Sequence, residues 1–103
     1  MVFETVYLFD QQFKEIAKVS ITSMNGKAVT GIIITHKFSE EFCELFIEYQ
    51  HLIETQIFSL LDEYEAKIQA QHITVKFENE ERSYQIDNLQ VYDLQVISFL
   101  LAE

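Results

Sequence analysis

The stretch FCELFIEYQHLIETQIFSLLDEY, residues 42–64, has the apolar spacing of an amphipathic helix. At about 100° per residue most of its apolar side chains fall in one arc, which predicts a helix that covers a sheet. Ser39 is a suitable N-cap with acidic residues in the turns after it, so we expect the helix to begin there and to run to about Gln69. The sheet-facing residues would be Phe42, Leu45, Phe46, Tyr49, Leu52, Ile53, Ile57, Leu60, Tyr64 and Ile68.

The same helix carries more apolar residues than one buried face needs. Ile47 and Phe58 lie well outside the main arc, and a continuous helix would place them on a common face. His51 and Glu54 lie between them on that face. We call Ile47, His51, Glu54 and Phe58 the second stripe, and it is a candidate contact surface.

The predicted length of this helix leaves two arrangements open. A helix over residues 39–69 would span roughly 46 Å, whereas a compact chain of this size is on the order of 35 Å across. The helix could break near Thr55 and Gln56, which would let both stripes reach the core. Alternatively its end overhangs the sheet and leaves the second stripe for a partner.

Three strands are predicted before the helix. VFETVYLF is rich in β-forming residues, DQQFK at 10–14 is typical of a turn, and Asn25 followed by Gly26 is a strong hairpin signal. A turn at these two residues would pair Met24 with Lys27. The register would then place on the core face Ala17, Val19, Ile21, Thr30, Ile32 and Ile34.

Three more strands are predicted after the helix. Ile73, Val75 and Phe77 alternate with polar residues, NEER at 79–82 indicates a turn, and two strands follow from Tyr84 and from Asn88. The order β-β-β-α-β-β-β predicts an α+β fold, with one long amphipathic helix on one face of an antiparallel sheet. The length of 103 residues fits one domain, residues 1–103.

The charge of the chain argues against several classes of partner. It has 17 acidic and 7 basic residues, a formal net charge of −10, and Arg82 as its one arginine. A nucleic-acid-binding protein needs a basic face, and an anionic membrane would repel this chain. We therefore expect no nucleic acid and no membrane partner, and either a protein partner or a charge that serves solubility.

The cysteine content and the N-terminus predict a cytoplasmic protein. Cys43 is the one cysteine, so no internal disulfide can form, as is typical of a reducing compartment. The N-terminal segment lacks the basic residues of a signal peptide, and no apolar run approaches the length of a membrane span.

The residues that carry chemistry in other proteins form no catalytic pattern here. His36, His51 and His72 lack metal-ligand spacing, and we expect no metal and no cofactor. Cys43 lies in the first turns of the helix, where a thiol pKa can fall. Four acidic residues near it in sequence oppose a thiolate, which favours a structural cysteine: Glu40, Glu41, Glu44 and Glu48.

Two segments resemble a known group of proteins. FSLLDEYEAKI at 58–68 and YDLQVISFLL at 92–101 are similar to segments of small uncharacterised bacterial proteins of the cyanobacterial type. The resemblance implies an α+β fold with an N-terminal hairpin region, an acidic helix and a terminal strand. It implies no activity and no functional residues.

Three functions are compatible with the sequence. We expect a non-enzymatic protein–protein interaction domain that forms a homodimer through the second stripe. If His51 lies opposite Glu54 of a second copy, assembly would depend on pH. A small enzyme using Cys43 is a third hypothesis. The alternative to self-association is an acidic inhibitor or immunity-type protein that binds a basic enzyme, for example one that acts on nucleic acid. Its contact face would be Glu44, Glu48, Asp62, Glu65, Glu78, Glu80 and Glu81.

Overall fold

The computed structural model describes residues 4–102. Six strands are connected in antiparallel pairs and close into a barrel. They are β1 (Thr5–Phe9), β2 (Glu15–Asn25), β3 (Ala28–His36), β4 (Thr74–Phe77), β5 (Ser83–Tyr92) and β6 (Val96–Ala102). The order around the barrel is β1-β2-β3-β6-β5-β4, and β4 pairs back with β1.

Closure of the barrel makes the predicted fold class wrong. The α+β arrangement required an open sheet with one long helix on a face, but here every strand has two hydrogen-bonded neighbours. The decisive strand is β4, which is four residues long and pairs with β1 on one side and β5 on the other. The six predicted strands and the three-stranded meander before the helix are present.

The barrel is filled by alternate residues of its strands, as expected for a small closed barrel. Four helical side chains, Phe42, Phe46, Tyr49 and Ile68, join the same apolar cluster. No charged side chain within residues 4–102 is buried. The buried strand residues with apolar side chains are Val6, Leu8, Ala17, Val19, Ile21, Val29, Val75, Phe77, Ile86, Leu89, Val91, Ile97 and Phe99.

The predicted long helix is two helices, α1 (Glu40–Glu54) and α2 (Leu61–Gln69), and both pack against β5. The predicted cap at the start of α1 is confirmed, since the Ser39 hydroxyl accepts a hydrogen bond from the backbone N–H of Phe42 at 3.1 Å. A 3-10 turn, Phe58–Leu60, leads into α2.

A Schellman motif ends α1 at Thr55 and Gln56, where the sequence allowed a break in the predicted long helix. Gln56 has a left-handed φ of +59°, and its N–H donates to the carbonyl of Ile53 at 3.2 Å. The N–H of Ile57 donates to the carbonyl of Leu52 at 2.9 Å. These two bonds satisfy the last carbonyls of α1 and turn the chain away from the helix axis.

The hairpin of β2 and β3 has a different register from the predicted one. The turn residues are Gly26 and Lys27, because Asn25 pairs with Ala28, and Gly26 has a φ of +63°. Irregularities near Val19 and near Ser23 shift the strands further. As a result Ile21 lies opposite Gly31 rather than Thr30.

The new register reverses the faces of β3. Val29 and Gly31 are buried and Ile33 packs partly against the core, whereas the predicted core residues Ile32 and Ile34 are about half exposed. Gly31 makes the tight approach possible. A Cβ atom at this position would lie 2.6 Å from Val19 Cγ1 and 2.7 Å from the backbone oxygen of Ser20.

The last two strands also differ from the predicted boundaries. β5 continues through Asn88, a bulge residue with a φ of +52°, where the sequence suggested a break between strands. The reversal lies instead at Asp93 and Leu94, and Val96 begins β6. The segment YDLQVISFLL at 92–101 therefore spans the turn and most of β6.

Candidate functional site

Two tyrosine–carboxylate pairs join α1 to α2. The Tyr49 hydroxyl of α1 donates to Glu65 Oε1 at 3.0 Å, and the Tyr64 hydroxyl of α2 donates to Glu48 Oε2 at 2.8 Å. Each helix thus supplies one donor and one acceptor. Burial and the bond to Glu65 raise the pKa of Tyr49 to about 12. The bond to Glu48 raises the pKa of Tyr64 above its usual value.

A glutamine joins α1 to the turn between β5 and β6. The backbone N–H of Asp93 donates to Gln50 Oε1 at 3.0 Å, and Gln50 Nε2 donates to Glu54 Oε1 at 2.9 Å. Asp93 and Leu94 have φ values of +52° and +55°. Two successive residues other than glycine in this region are strained, and the contacts of Gln50 help to hold the turn in place.

The outer surface of α1 has a ridge between two shallow grooves. Ile47 and His51, one turn apart, line both grooves, and we call them the α1 ridge. One groove is completed by Gln50, Glu54, Asp93 and Leu94. The other is completed by Glu48, Leu52 and Tyr64. Ile47 is 54% exposed and does not belong to the apolar cluster beneath α1.

Three residues of the second stripe lie together and the fourth lies apart along the chain. Ile47, His51 and Glu54 line one groove, whereas Phe58 follows the break and belongs to the 3-10 turn. Phe58 is 61% exposed, so the break did not bring it or Ile47 into the core. Their role in an interface stays a prediction.

Of the residues considered for chemistry, His36 lies in a stack of aromatic rings and Cys43 is partly buried. Cys43 is half-buried in the first turn of α1. Next to it runs an aromatic series from His36 through Phe38 and Phe42 to the buried Phe46, with successive ring centres 4.6, 4.6 and 4.8 Å apart. Among residues 4–102, no three His, Cys, Asp or Glu side chains are grouped closely enough to hold a metal ion.

The predicted acidic residues are exposed, but some have internal hydrogen bonds. Glu80 accepts a bond from the Tyr84 hydroxyl at 3.2 Å, and Glu48 and Glu65 accept the tyrosine bonds described above. These three carboxylates therefore contribute to the structure of the chain itself. The remaining exposed members are Glu44, Asp62, Glu78 and Glu81.

A half-enclosed cavity of about 80 Å³ lies where the end of α2 meets β4 and β5. Its walls include the apolar residues Ile68, Ile73 and Leu89 and the polar residues His72 and Gln85. The volume is enough for a few water molecules. The sequence offered no signal for this cavity, because an apolar lining has the same sequence pattern as core.

Comparisons with protein-family models, with curated proteins and with solved structures gave no match. The resemblance to small bacterial proteins therefore stays a prediction. Within residues 4–102 neither helix is long and apolar enough to cross a membrane. Any assignment of function rests on the geometry of the surface.

Proposed function

We propose that this chain is a non-enzymatic protein–protein interaction domain that self-associates through the α1 ridge. The observation that supports it is the exposure of Ile47, a large apolar side chain on a well-fixed helix between two grooves. α1 is anchored on three sides, by its apolar face, by Tyr49 and by Gln50. A preorganised surface of this kind binds without a large ordering cost.

The shape of the surface suits contact with a second copy. In a two-fold dimer each surface meets itself, so a ridge beside a groove is complementary to its own copy. Two α1 helices crossing at the axis would place Ile47 of each chain in the groove of the other, the packing by which helices usually meet. Standard interfaces bury about 800 Å² per partner, so further contacts around the ridge would be needed.

The charged groups beside His51 give this interface a pH dependence. Glu48 and Glu54 lie on the same helix, Asp93 lies in the adjoining turn, and the Tyr64 hydroxyl faces the other groove. Two copies would bring these carboxylates together. If His51 of one copy lies opposite Glu54 of the other, we expect assembly to differ between pH 5.5 and pH 8. Equal sedimentation at the two pH values would remove this part of the proposal.

We also propose that this domain acts in the cytoplasm. A single cysteine and a self-associating acidic domain suit the cytoplasm. The exposed helices would leave acidic residues on the outside of the dimer, where they would keep the assembly soluble.

The direct test is the absolute mass in solution of Ile47→Lys. Lysine lowers the net negative charge, so a loss of assembly could not be caused by greater overall repulsion. We expect this variant to remain folded and to have half the mass of the wild type. The matched control is Ala66→Lys, the same kind of change at an exposed position of α2, which should leave the mass unchanged. A folded Ile47→Lys variant with the wild-type mass would overturn the proposal.

A further inference from the structure

A second apolar surface lies on the outside of the barrel, across β3 and β6. Along these strands Ala28 pairs with Leu100, Thr30 with Ser98, and Ile32 with Val96. Ile32 and Ile34 are 50% and 51% exposed, and Val96 and Leu100 are 38% exposed. We call these outward residues the β3–β6 face: Ala28, Thr30, Ile32, Ile34, Val96, Ser98 and Leu100.

The absence of charge on this face is unusual for the chain. Charged residues make up 23% of the sequence, but none of these seven positions carries one. The outer face of a sheet that contacts water normally carries polar side chains. On the flanking strands the neighbours are mostly polar: Ser20 lies beside Ile32, Gln90 beside Ser98 and Asp87 beside Leu100, while Tyr92 lies beside Val96. An apolar centre with a polar rim is the usual composition of a protein interface.

The closed barrel determines how this face could be used. Between Ala28 and Ile32, β3 is paired with β2 on one side and with β6 on the other, so a partner cannot add a strand there. Contact must come from packing one face on another, with sheets about 10 Å apart. The small pair Thr30 and Ser98 lies between the larger side chains at Ile32 and Leu100. Large residues of one face can therefore fit over the small residues of another.

We propose that a second copy of this chain packs on the β3–β6 face. Charge selects this occupant. A basic partner would be attracted to the carboxylates of this acidic chain and would gain no electrostatic attraction from an uncharged face. Another copy, which also carries −10, is repelled least where exposed carboxylates are absent, and this face has none.

This interface is separate from the α1 ridge and does not depend on it. A chain with two different self-complementary faces forms a tetramer with D2 symmetry when the assembly closes. We therefore expect the wild type to have four times the mass of one chain. Disruption of either face should leave a dimer, and disruption of both should leave a monomer.

The test is the mass of Ile32→Lys by light scattering, with folding checked by circular dichroism. We expect half the wild-type mass, and one quarter in the double variant with Ile47→Lys. The matched control is Gln85→Lys, an exposed strand position on β5 with the same change in charge, which should keep the full mass. A folded Ile32→Lys variant with the mass of Gln85→Lys would overturn the inference.

A milder variant keeps the inference testable if lysine disturbs the barrel. Ile32→Thr retains β-branching and strand propensity, adds no charge, and replaces the ethyl group with a hydroxyl. The dissociation constant of the β3–β6 interface should rise by about tenfold or more. An unchanged constant would contradict the β3–β6 face as an interface. If Ile47→Lys has the wild-type mass while Ile32→Lys has half of it, the α1 proposal fails and this inference stands.

Discussion

The barrel and the helical pair are stabilised by different kinds of contact. Inside the barrel the hydrogen bonds join backbone groups, and the side chains are apolar. Between the helices, and between α1 and the β5–β6 turn, polar side chains make the contacts: Tyr49 with Glu65, Tyr64 with Glu48, and Gln50 with Asp93. Apolar packing should therefore control global stability, and the polar contacts should control local order and pH response.

The largest effect should come from the helical side chain that belongs to the barrel core. Phe46 is 1% exposed, and we expect Phe46→Ala to lower the free energy of unfolding by about 3–5 kcal/mol. Ile47, the next residue, faces water, and Ile47→Ala should change the unfolding of the monomer by less than about 0.5 kcal/mol. Urea denaturation of both variants, at a concentration where chains are dissociated, measures the contrast. Similar losses of unfolding free energy in Phe46→Ala and Ile47→Ala would contradict the assignment of Phe46 to the core and of Ile47 to the exposed α1 ridge.

The two glycines should respond in a graded way to an added methyl group. Gly31→Ala places a Cβ against the backbone oxygen of Ser20, which cannot move without disturbing the hairpin, and should cost about 1–3 kcal/mol. Gly26→Ala meets no atom within 4 Å, but its φ of +63° carries a left-handed penalty of about 1–2 kcal/mol. Thermal unfolding compares them. An unchanged stability of Gly31→Ala would contradict the close approach of β2 and β3.

Removal of one interhelical hydrogen bond should have a moderate effect. Tyr49→Phe keeps the buried ring and deletes the bond to Glu65, so we expect a loss of about 1 kcal/mol at pH 7. The partner Glu65 is exposed and can bond to water instead, which limits the loss. The conservative control is Tyr7→Phe on β1, outside the helical pair. Equal losses of stability in Tyr49→Phe and Tyr7→Phe would contradict a specific contribution of the Tyr49–Glu65 hydrogen bond.

The raised pKa of Tyr49 gives this contact a pH signature. Below pH 10 the hydroxyl is protonated in both the folded and the unfolded chain, and its contribution is fully present. Between pH 10 and about 12 the unfolded chain loses this proton and the folded chain retains it, so stability falls through that window. Urea denaturation at several alkaline pH values should show a shallower fall for Tyr49→Phe. Parallel curves of stability against pH for Tyr49→Phe and wild type would contradict the raised pKa of Tyr49.

The smallest effect should be local to the β5–β6 turn. Gln50→Ala removes the acceptor of the Asp93 N–H, and we expect faster amide exchange at Asp93 with unchanged protection of the barrel strands. Global stability should fall by no more than about 1 kcal/mol. If barrel amides lose protection to the same extent, the turn is part of the global unfolding unit rather than a local one.

Much of the local structure could be predicted from the sequence. The alternation of Ile73, Val75 and Phe77 predicts β4, and Ser39 predicts the start of α1. The closure of the barrel could not be predicted in this way. One buried face per strand gives the same alternation in an open sheet under a helix and in a barrel, and only the long-range pairing of β1 with β4 distinguishes them.

The register and the site depend on features with weaker signals. The bulges in β2 reverse the outward face of β3, and Gly31 was the available hint, since glycine inside a strand often marks a bulge or a close approach. The tyrosine–glutamate pairs join residues 16 positions apart, which requires knowledge of how α1 packs on α2. The end of α1 at Gln56 lacks the glycine that usually marks it.

The measurement that tests self-association most directly is the absolute mass of the wild-type chain in solution over a wide range of concentration. Light scattering should give a multiple of the single-chain mass of 12.2 kDa that decreases on dilution. Higher salt should leave the assembly intact or strengthen it, because the proposed contacts are apolar and the like charges around them are screened. A mass of one chain at every concentration and salt would contradict both proposed interfaces, and the acidic-inhibitor alternative would then be the hypothesis to test.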